Sequence, residues 1–311
     1  MSATGYEGIV VLGVPRSGTT LLRRLLRAHP DIACPPETNL LSAASRFLEE
    51  QRFAGGLSVG VVPGLHFAGF AEAVVLDRLR EFVFEFWRDI AAREGKRRWA
   101  EKTAVDIFHL DAIERLCGDR CRYVAIVRHP LDVVCSLKEL GDKMESHLPE
   151  LFEFVRRRPE TYEAFAEAWA AGNRRLLAFA DAHPGWVVRV RYEDLTADPR
   201  TTLATIFDFL GESTDVDAVL SRAFSDGESV GLGDWKTYAS HEVSAGSVGR
   251  HRTLSPWTIE RLSPLVDDVM ERLGYEPIRR KGSPGDDQRR QELARLVTGM
   301  KLSSSSPATS S

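Results

Sequence analysis

Arg16, Ser17, Gly18, Thr19 and Thr20 follow a short β-branched run, GIVVLG at 8–13, and lead into a leucine-rich segment. Four residues separate Gly13 from Gly18. That G-x-x-x-x-G spacing marks a strand-to-helix turn whose backbone N–H groups and helix N-terminus face an anion. A phosphate loop of a magnesium-dependent NTPase carries lysine directly after the second glycine, whereas here that residue is Thr19 and the cation is Arg16, three residues earlier. A capped glycine turn without a ligand is the plainer reading, but strand, arginine, glycine and paired threonines together favour an anion. A second cation, Arg128, ends the apolar run YVAIV, and Ser136 follows eight residues later. Where an NTPase sets an acid for its metal, this chain sets a guanidinium, whose rigid fork binds phosphate directly. Taken alone, Arg128 fits a surface pair with Asp132 equally well.

The elements that must position these residues are legible as alternating patterns. Gly8–Gly13, Tyr123–Val127 and Trp186–Val190 read as buried strands, with a shorter one around Ile32–Cys34. A helix over about Thr19–Ala28 puts Leu21, Leu22, Leu25 and Leu26 on one face and Arg23, Arg24 and Arg27 on the other. Pro130 opens the helix after Arg128, where a missing N–H costs nothing. Further helices are predicted over roughly 71–93, 105–117, 160–182, 199–210 and 256–273, the last two closed by Gly211 and Gly274. Strands alternating with helices imply an α/β domain with a mostly parallel central sheet flanked by helices, and ligands of such sheets bind at the carboxyl ends of the strands. Phe53–Gly69 and Ser225–Gly249 are glycine-rich and weakly periodic, either lids or surface loops. The domain is expected to span 1–280, and 281–311, ending LSSSSPATSS, reads as a flexible polar tail with one short helix at Gln288–Val297.

Composition narrows the function classes. Of 311 residues, 43% are hydrophobic and 28% charged, which excludes a disordered chain. Basic and acidic side chains number 41 and 45, net −4, so no global positive field exists for nucleic acid, and any anion site is local. The first apolar run is too short for a signal peptide or a membrane span, so a cytoplasmic protein is expected. Cys34, Cys117, Cys121 and Cys135 suit a reducing compartment as inert thiols, and CGDRC lacks the second ligand pair of a zinc site, so no metal is expected.

The segments VPRSGTTLLRRLLRAHPDIACPPET, VRHPLDVVCS, RYEDLTADP, VGRHRTLSP and ERLGYEP resemble, in order and from residue 8 to about 277, the sulfotransferases that use 3′-phosphoadenosine 5′-phosphosulfate (PAPS). The pattern is similar to the branch of tyrosylprotein sulfotransferases and their bacterial relatives. The resemblance implies a three-layer P-loop-like fold, with Arg16, Ser17, Gly18, Thr19 and Thr20 on the 5′-phosphosulfate. It sets Arg128 and Ser136 on the 3′-phosphate, Tyr192 near the nucleotide and Arg250 reaching back to the cofactor. It also makes Glu37 the catalytic base and Lys102, with Arg16, the stabiliser of the leaving phosphate. Two positions depart from the pattern: Pro36 precedes Glu37 where that branch has a second glutamate, and His251 stands where the family usually has tryptophan.

Sulfuryl transfer from a phosphate oxygen leaves negative charge on the donor and frees a proton from the acceptor, so it needs fixed cations and one base. Pro35-Pro36 stiffens the approach to Glu37, which suits a preorganised base; capping a helix from Thr38 is its other reading. Lys102 could also be a lysine paired with Glu101 or Asp106, and Tyr192 a packing aromatic. His66 and His109 are alternative bases. The expected acceptor is a hydroxyl or amine of a small molecule, lipid, glycan or peptide, the product is PAP, and a homodimer is allowed. The rival readings are a nucleotide or small-molecule kinase and a non-catalytic adenosine bisphosphate-binding module.

Overall fold

The computed structural model describes residues 5–213, 215–225 and 242–278. Five parallel strands form the central sheet, in the order β2 (Ile32–Ala33), β5 (Arg98–Glu101), β1 (Gly8–Leu12), β6 (Cys121–Val127), β7 (Val187–Arg191). β1 sits in the middle, with Gly8 beside Trp99 on one flank and Cys121 on the other. Its side chains alternate between two apolar cores, Val10 and Leu12 on one face, Ile9 and Val11 on the other, and β6 does the same with Tyr123, Ala125 and Val127 against Val124 and Ile126. A sheet buried on both faces accounts for the unbroken apolar runs read in the sequence.

On one face pack α2 (Leu40–Phe47), α4 (Glu72–Arg93), α5 (Leu110–Cys117), α6 (Pro130–Met144), α8 (Thr161–Ala182) and α12 (Pro256–Arg272); the other face carries α1 (Thr19–Arg27), α9 (Tyr192–Ala197), α10 (Pro199–Leu210) and α11 (Val216–Arg222). The three-layer architecture is thus the one the alternation implied. α10 starts with the Asp198 side chain accepting from Thr201 N–H and stops at Gly211, left-handed at φ 63°. α4 is anchored by Trp87 and Phe84, whose rings lie 4.5 and 4.9 Å from that of Trp99.

Three expectations change. β5 did not register as a strand. Its four residues, RWAE, begin and end in charge, yet all are buried: Arg98 donates to Glu212 Oε1 at 2.5 Å and to the Tyr6 carbonyl at 3.0 Å. α1 has no polar face of three arginines, because Arg23 and Arg24 are buried and Arg23 donates to the Cys34 carbonyl at 3.1 Å. The helix expected at 105–117 is a 3-10 turn, Ala104–His109, followed by α5. Of the two candidate lids, 53–69 holds the strand Ser58–Gly60 of a hairpin with β3 (Glu50–Arg52) and then α3 (Val61–Phe67). Most of the other, 226–241, with Trp235 and Tyr238, lies outside the described residues, as does the expected tail at 281–311. Among the described residues no helix is long and apolar enough to cross a membrane.

Candidate active site

The loop, Glu37, Lys102, Arg128 and Tyr192 stand just past the carboxyl ends of strands, whereas Ser136 lies two turns into α6, His66 on α3 and His109 at the end of the 3-10 turn before α5. Arg128 follows β6, Lys102 follows β5 and Tyr192 follows β7 directly; the loop 13–18 leaves β1, and Glu37 lies four residues beyond β2. The sheet therefore gathers into one edge residues up to 176 positions apart.

The loop after β1 is shaped by close approach. A Cβ at Gly13 would meet the Ile126 carbonyl oxygen at 2.7 Å, and one at Gly18 would meet Tyr192 Cδ2 at 2.3 Å. Gly18, at φ 99°, is the N-cap of α1, whose first turn holds no acidic residue. Its leading N–H groups have no intrahelical partner by construction, and the helix dipole favours an anion there. Arg16 is also left-handed, at φ 74°. Its Nε donates to Ser136 Oγ at 2.9 Å on α6, while Arg128 donates to the Arg16 carbonyl at 3.0 Å.

Arg128 is 4% exposed, with its guanidinium 4.4 Å from the centroid of the buried Tyr192 ring. A second nitrogen donates to the Ser247 carbonyl, and Trp169, buried on α8, donates to the Arg128 carbonyl at 3.0 Å. Burial pulls this guanidinium below its ordinary range. The pairing with Asp132 that the sequence allowed does not form: Asp132 accepts from Gly249 N–H at 2.8 Å and from His251 N–H at 3.0 Å, with the His251 ring at 2.8 Å. Although burial raises Asp132, hydrogen bonds from His251 and Gly249 hold it below its usual value. Two buried polar atoms at this place have no partner among the described residues, Ser17 Oγ and Arg128 Nε. Leaving them so is costly unless a ligand completes them.

Arg250 lies in the 3-10 turn Arg250–Thr253 and pairs with Glu139, one turn of α6 beyond Ser136. The His251 ring stacks on His129 with centroids 4.6 Å apart, filling an aromatic position with an aromatic ring.

Across the sheet edge, Lys102 Nζ donates to Glu37 Oε1 at 2.5 Å. The lysine side chain is fully buried and that of Glu37 keeps 19% of its surface accessible, so the carboxylate is presented from a fixed cation toward solvent. Lys102 is paired with neither Glu101 nor Asp106. Glu37 caps no helix either: α2 begins after Asn39. Glu101 accepts from Thr38 and Thr103, and burial pushes its carboxyl up to about 7. Asp106, which accepts from Ser42 at 2.7 Å, is raised well above its ordinary value by burial and then by Glu101. His109 stands 3.5 Å from Glu150, and His66 is exposed on α3. Sequence reasoning passed over Trp169, the Asp132 clamp and the two threonines, although Thr38 and Thr103 adjoin singled-out residues. The four cysteines are free, and burial pushes Cys34 up to about 12.

The residues present fit a nucleotide carrying phosphates at two places. The loop and first turn of α1 offer a place for one anion, Arg128 and Ser136 a place for another, and one orphaned atom stands at each, Ser17 Oγ and Arg128 Nε. Among the described residues no cluster of histidine, cysteine and carboxylate could hold a metal ion.

Comparison with known proteins agrees with this fold. Residues 8–216 match the model of the sulfotransferase family. Nodulation protein NoeE of Sinorhizobium fredii is 29% identical over 281 residues, 86% of this chain and 65% of that protein. A putative protein-tyrosine sulfotransferase of Caenorhabditis briggsae is 30% identical over 206 residues, 65% of this chain and 64% of its own length. The chain thus spans slightly under two thirds of these two relatives. Among solved structures, the sulfotransferase domain of the curacin biosynthetic pathway has a TM-score of 0.61 at 20% identity, covering 88% of this chain and 99% of that one. The sulfotransferase domain of the Synechococcus PCC 7002 olefin synthase has a TM-score of 0.60 at 22% identity, covering 88% and 98%. At those identities the likeness is one of fold, and it is the family match, spanning the loop, Glu37, Lys102, Arg128 and Tyr192 in one run, that says the chain belongs to the sulfotransferase family.

Proposed function

We propose that this chain transfers the sulfuryl group of PAPS to a hydroxyl, or an amine, of a small-molecule, lipid, glycan or peptide acceptor. The reading includes a cytoplasmic setting, release of PAP, no metal and no nucleic acid. It rests above all on the Arg16–Ser136–Arg128 constellation, in which two cations from different strands share one edge with buried polar atoms left unpartnered.

The donor, when bound, supplies an activated sulfuryl group and a phosphate leaving group. Ser17, Gly18, Thr19 and Thr20 hold the 5′ anion through hydroxyls and first-turn N–H groups, and Arg16 carries its counter-charge. Arg128 and Ser136 hold the 3′-phosphate, the group that separates this cofactor from ADP and ATP. Tyr192 keeps Arg128 in place by stacking, and Arg250 reaches toward the cofactor from the turn that pairs with Glu139 of α6. Glu37 takes the proton of the acceptor hydroxyl, and Lys102 orients that carboxylate while adding positive charge for the leaving phosphate. Glu37 is preferred as the base to His66, exposed on a separate helix, and to His109, which faces Glu150.

Calorimetric titration with PAP, ADP and ATP plus magnesium tests the reading. Metal-independent PAP binding is expected to be much the tightest, and Arg128→Ala to weaken PAP far more than ADP. Equal losses for both ligands remove the 3′-phosphate assignment, and a preference for ATP with magnesium establishes a kinase instead.

A further inference from the structure

Glu37 is held from two directions. Lys102 grips its carboxylate, and a second set of contacts, one residue further along one segment and one residue back along the other, fixes the backbone it hangs from. Thr38 donates to Glu101 Oε2 at 2.8 Å, and Thr103 donates to Glu101 Oε1 at 2.5 Å. Each threonine oxygen in turn accepts a backbone N–H from the turn that opens α2. Asn39 donates to Thr103 Oγ1 at 3.1 Å, and Leu40 donates to Thr38 Oγ1 at 3.3 Å. Asn39 is left-handed, at φ 57°, a conformation that persists in a non-glycine residue where the surroundings impose it.

Glu101 is wholly buried. Burying a carboxyl is costly, and an apolar side chain could fill the end of β5 without that cost. What the carboxyl adds is two directed acceptors. Successive side chains of extended segments leave on opposite sides, so tying Thr38 to Glu101 sets Glu37 against Lys102.

From this we infer that Glu101 is a positioning residue for sulfuryl transfer: through Thr38 and Thr103 it fixes the turn 37–40 so that Glu37 meets both Lys102 and the acceptor's proton. The inference rests on Glu37 being the base. Glu101 itself touches no substrate. The charged and titratable groups that face it are Lys102 beside it, Cys34 and Glu37 beyond β2 and Asp106 on the following 3-10 turn, with Trp87 of α4 reaching Thr38 at 3.5 Å. Two donated hydroxyls suit the ionised carboxylate, which only accepts; a protonated carboxyl carries a donor of its own and keeps both threonines only by reversing one of these bonds, against the backbone N–H groups the threonine oxygens already accept. The turn is therefore firmest with Glu101 ionised, and burial brings that ionisation to about 7.

The test uses Glu101→Ala and Glu101→Gln, each alone and combined with Glu37→Gln. One readout is PAP release from PAPS with water as acceptor. The other, in the cofactor-free protein, is acylation of Lys102 by an amine reagent, followed by mass spectrometry. Glu101→Ala is expected to lower kcat by about tenfold or more, the scale on which misplacing a catalytic group acts, with KM for PAPS unchanged. It is also expected to label Lys102 several-fold faster. Glu101→Gln keeps an acceptor for one threonine, restores most of the turnover and slow labelling, and loses the limb of the pH–rate profile near pH 7. Adding Glu101→Ala to Glu37→Gln costs nothing further, because both act through one group. Wild-type kcat and labelling in Glu101→Ala overturn the proposal, as does an equal loss in the two backgrounds. Wild-type turnover in Glu37→Gln instead overturns the base assignment beneath it, so the two failures are separate.

Discussion

Gly18 concentrates the demands of the phosphate loop in one position. Its φ of 99° is open to glycine, and its missing side chain leaves the space into which the edge of Tyr192 packs, at 2.3 Å from where a Cβ would stand. Gly18→Ala therefore meets two obstacles, backbone strain and a clash with a ring that Arg128 holds from its face. The variant is expected to lose about 1–3 kcal/mol of stability. Tyr192 must also shift, so PAP binding is expected to fall by at least tenfold; calorimetry alongside urea denaturation measures both, and wild-type PAP affinity would mean that Tyr192 does not shape the anion site. At this scale much of the site was legible. Arg16 announces itself as the loop's cation three residues before the position where an NTPase would show lysine, and Arg128 by standing where an NTPase would show a metal-binding acid. The contact between Lys102 and Glu37 was not legible, because 65 residues separate them and their meeting depends on β2 and β5 being neighbours.

Elements were legible in proportion to how uniformly they are buried. β1 and β6, covered on both faces, appear as plain apolar runs; β5, equally buried, hides because Arg98 and Glu101 find partners, Glu212 and Thr38, that only the fold supplies. The same holds for α1, where an expected polar face is interior. The segment around Arg250 is held chiefly by one side chain of another element, beside the Arg250–Glu139 pair and the bond from Arg128 to the Ser247 carbonyl. Asp132, 1% exposed on α6, takes the N–H groups of Gly249 and His251 and the His251 ring, and thereby ties the late basic turn to the helix that carries Ser136. Hydrogen bonds to a charged acceptor contribute about 1.5–3 kcal/mol each, so Asp132→Ala is expected to release this turn. Amide hydrogen exchange at residues 249 and 251 should accelerate, and PAP affinity should drop by about tenfold, or roughly 1.4 kcal/mol. Unchanged exchange would show that the turn is fixed from elsewhere.

Over the whole molecule the buried titratable groups pull stability in opposite directions with pH. Glu101 is raised from 4.5 to about 7 by burial, so the fold favours its protonated form. From about pH 4.5 to about pH 7 the native chain holds a proton that the unfolded chain has released, and stability falls as pH rises through that window. Asp106, raised by burial and by Glu101, acts with the same sign. His129 is lowered from 6.5 to about 4 by burial and then by His251, so between those values the unfolded chain takes up a proton the native state lacks, and stability falls as pH drops. The slopes oppose each other below about pH 6.5, and above it only the acids still act. Glu101→Gln removes the Glu101 share of the rising-pH penalty while keeping the side chain's shape. Measured by urea denaturation at a series of pH values, the variant's unfolding free energy is expected to gain on the wild type by about 2–3 kcal/mol between pH 5 and 8. A difference constant over that range would mean that Glu101 ionises in the folded protein where it does in the unfolded one, the cost of its burial being offset by its bonds to Thr38 and Thr103 and by the nearby Lys102 charge.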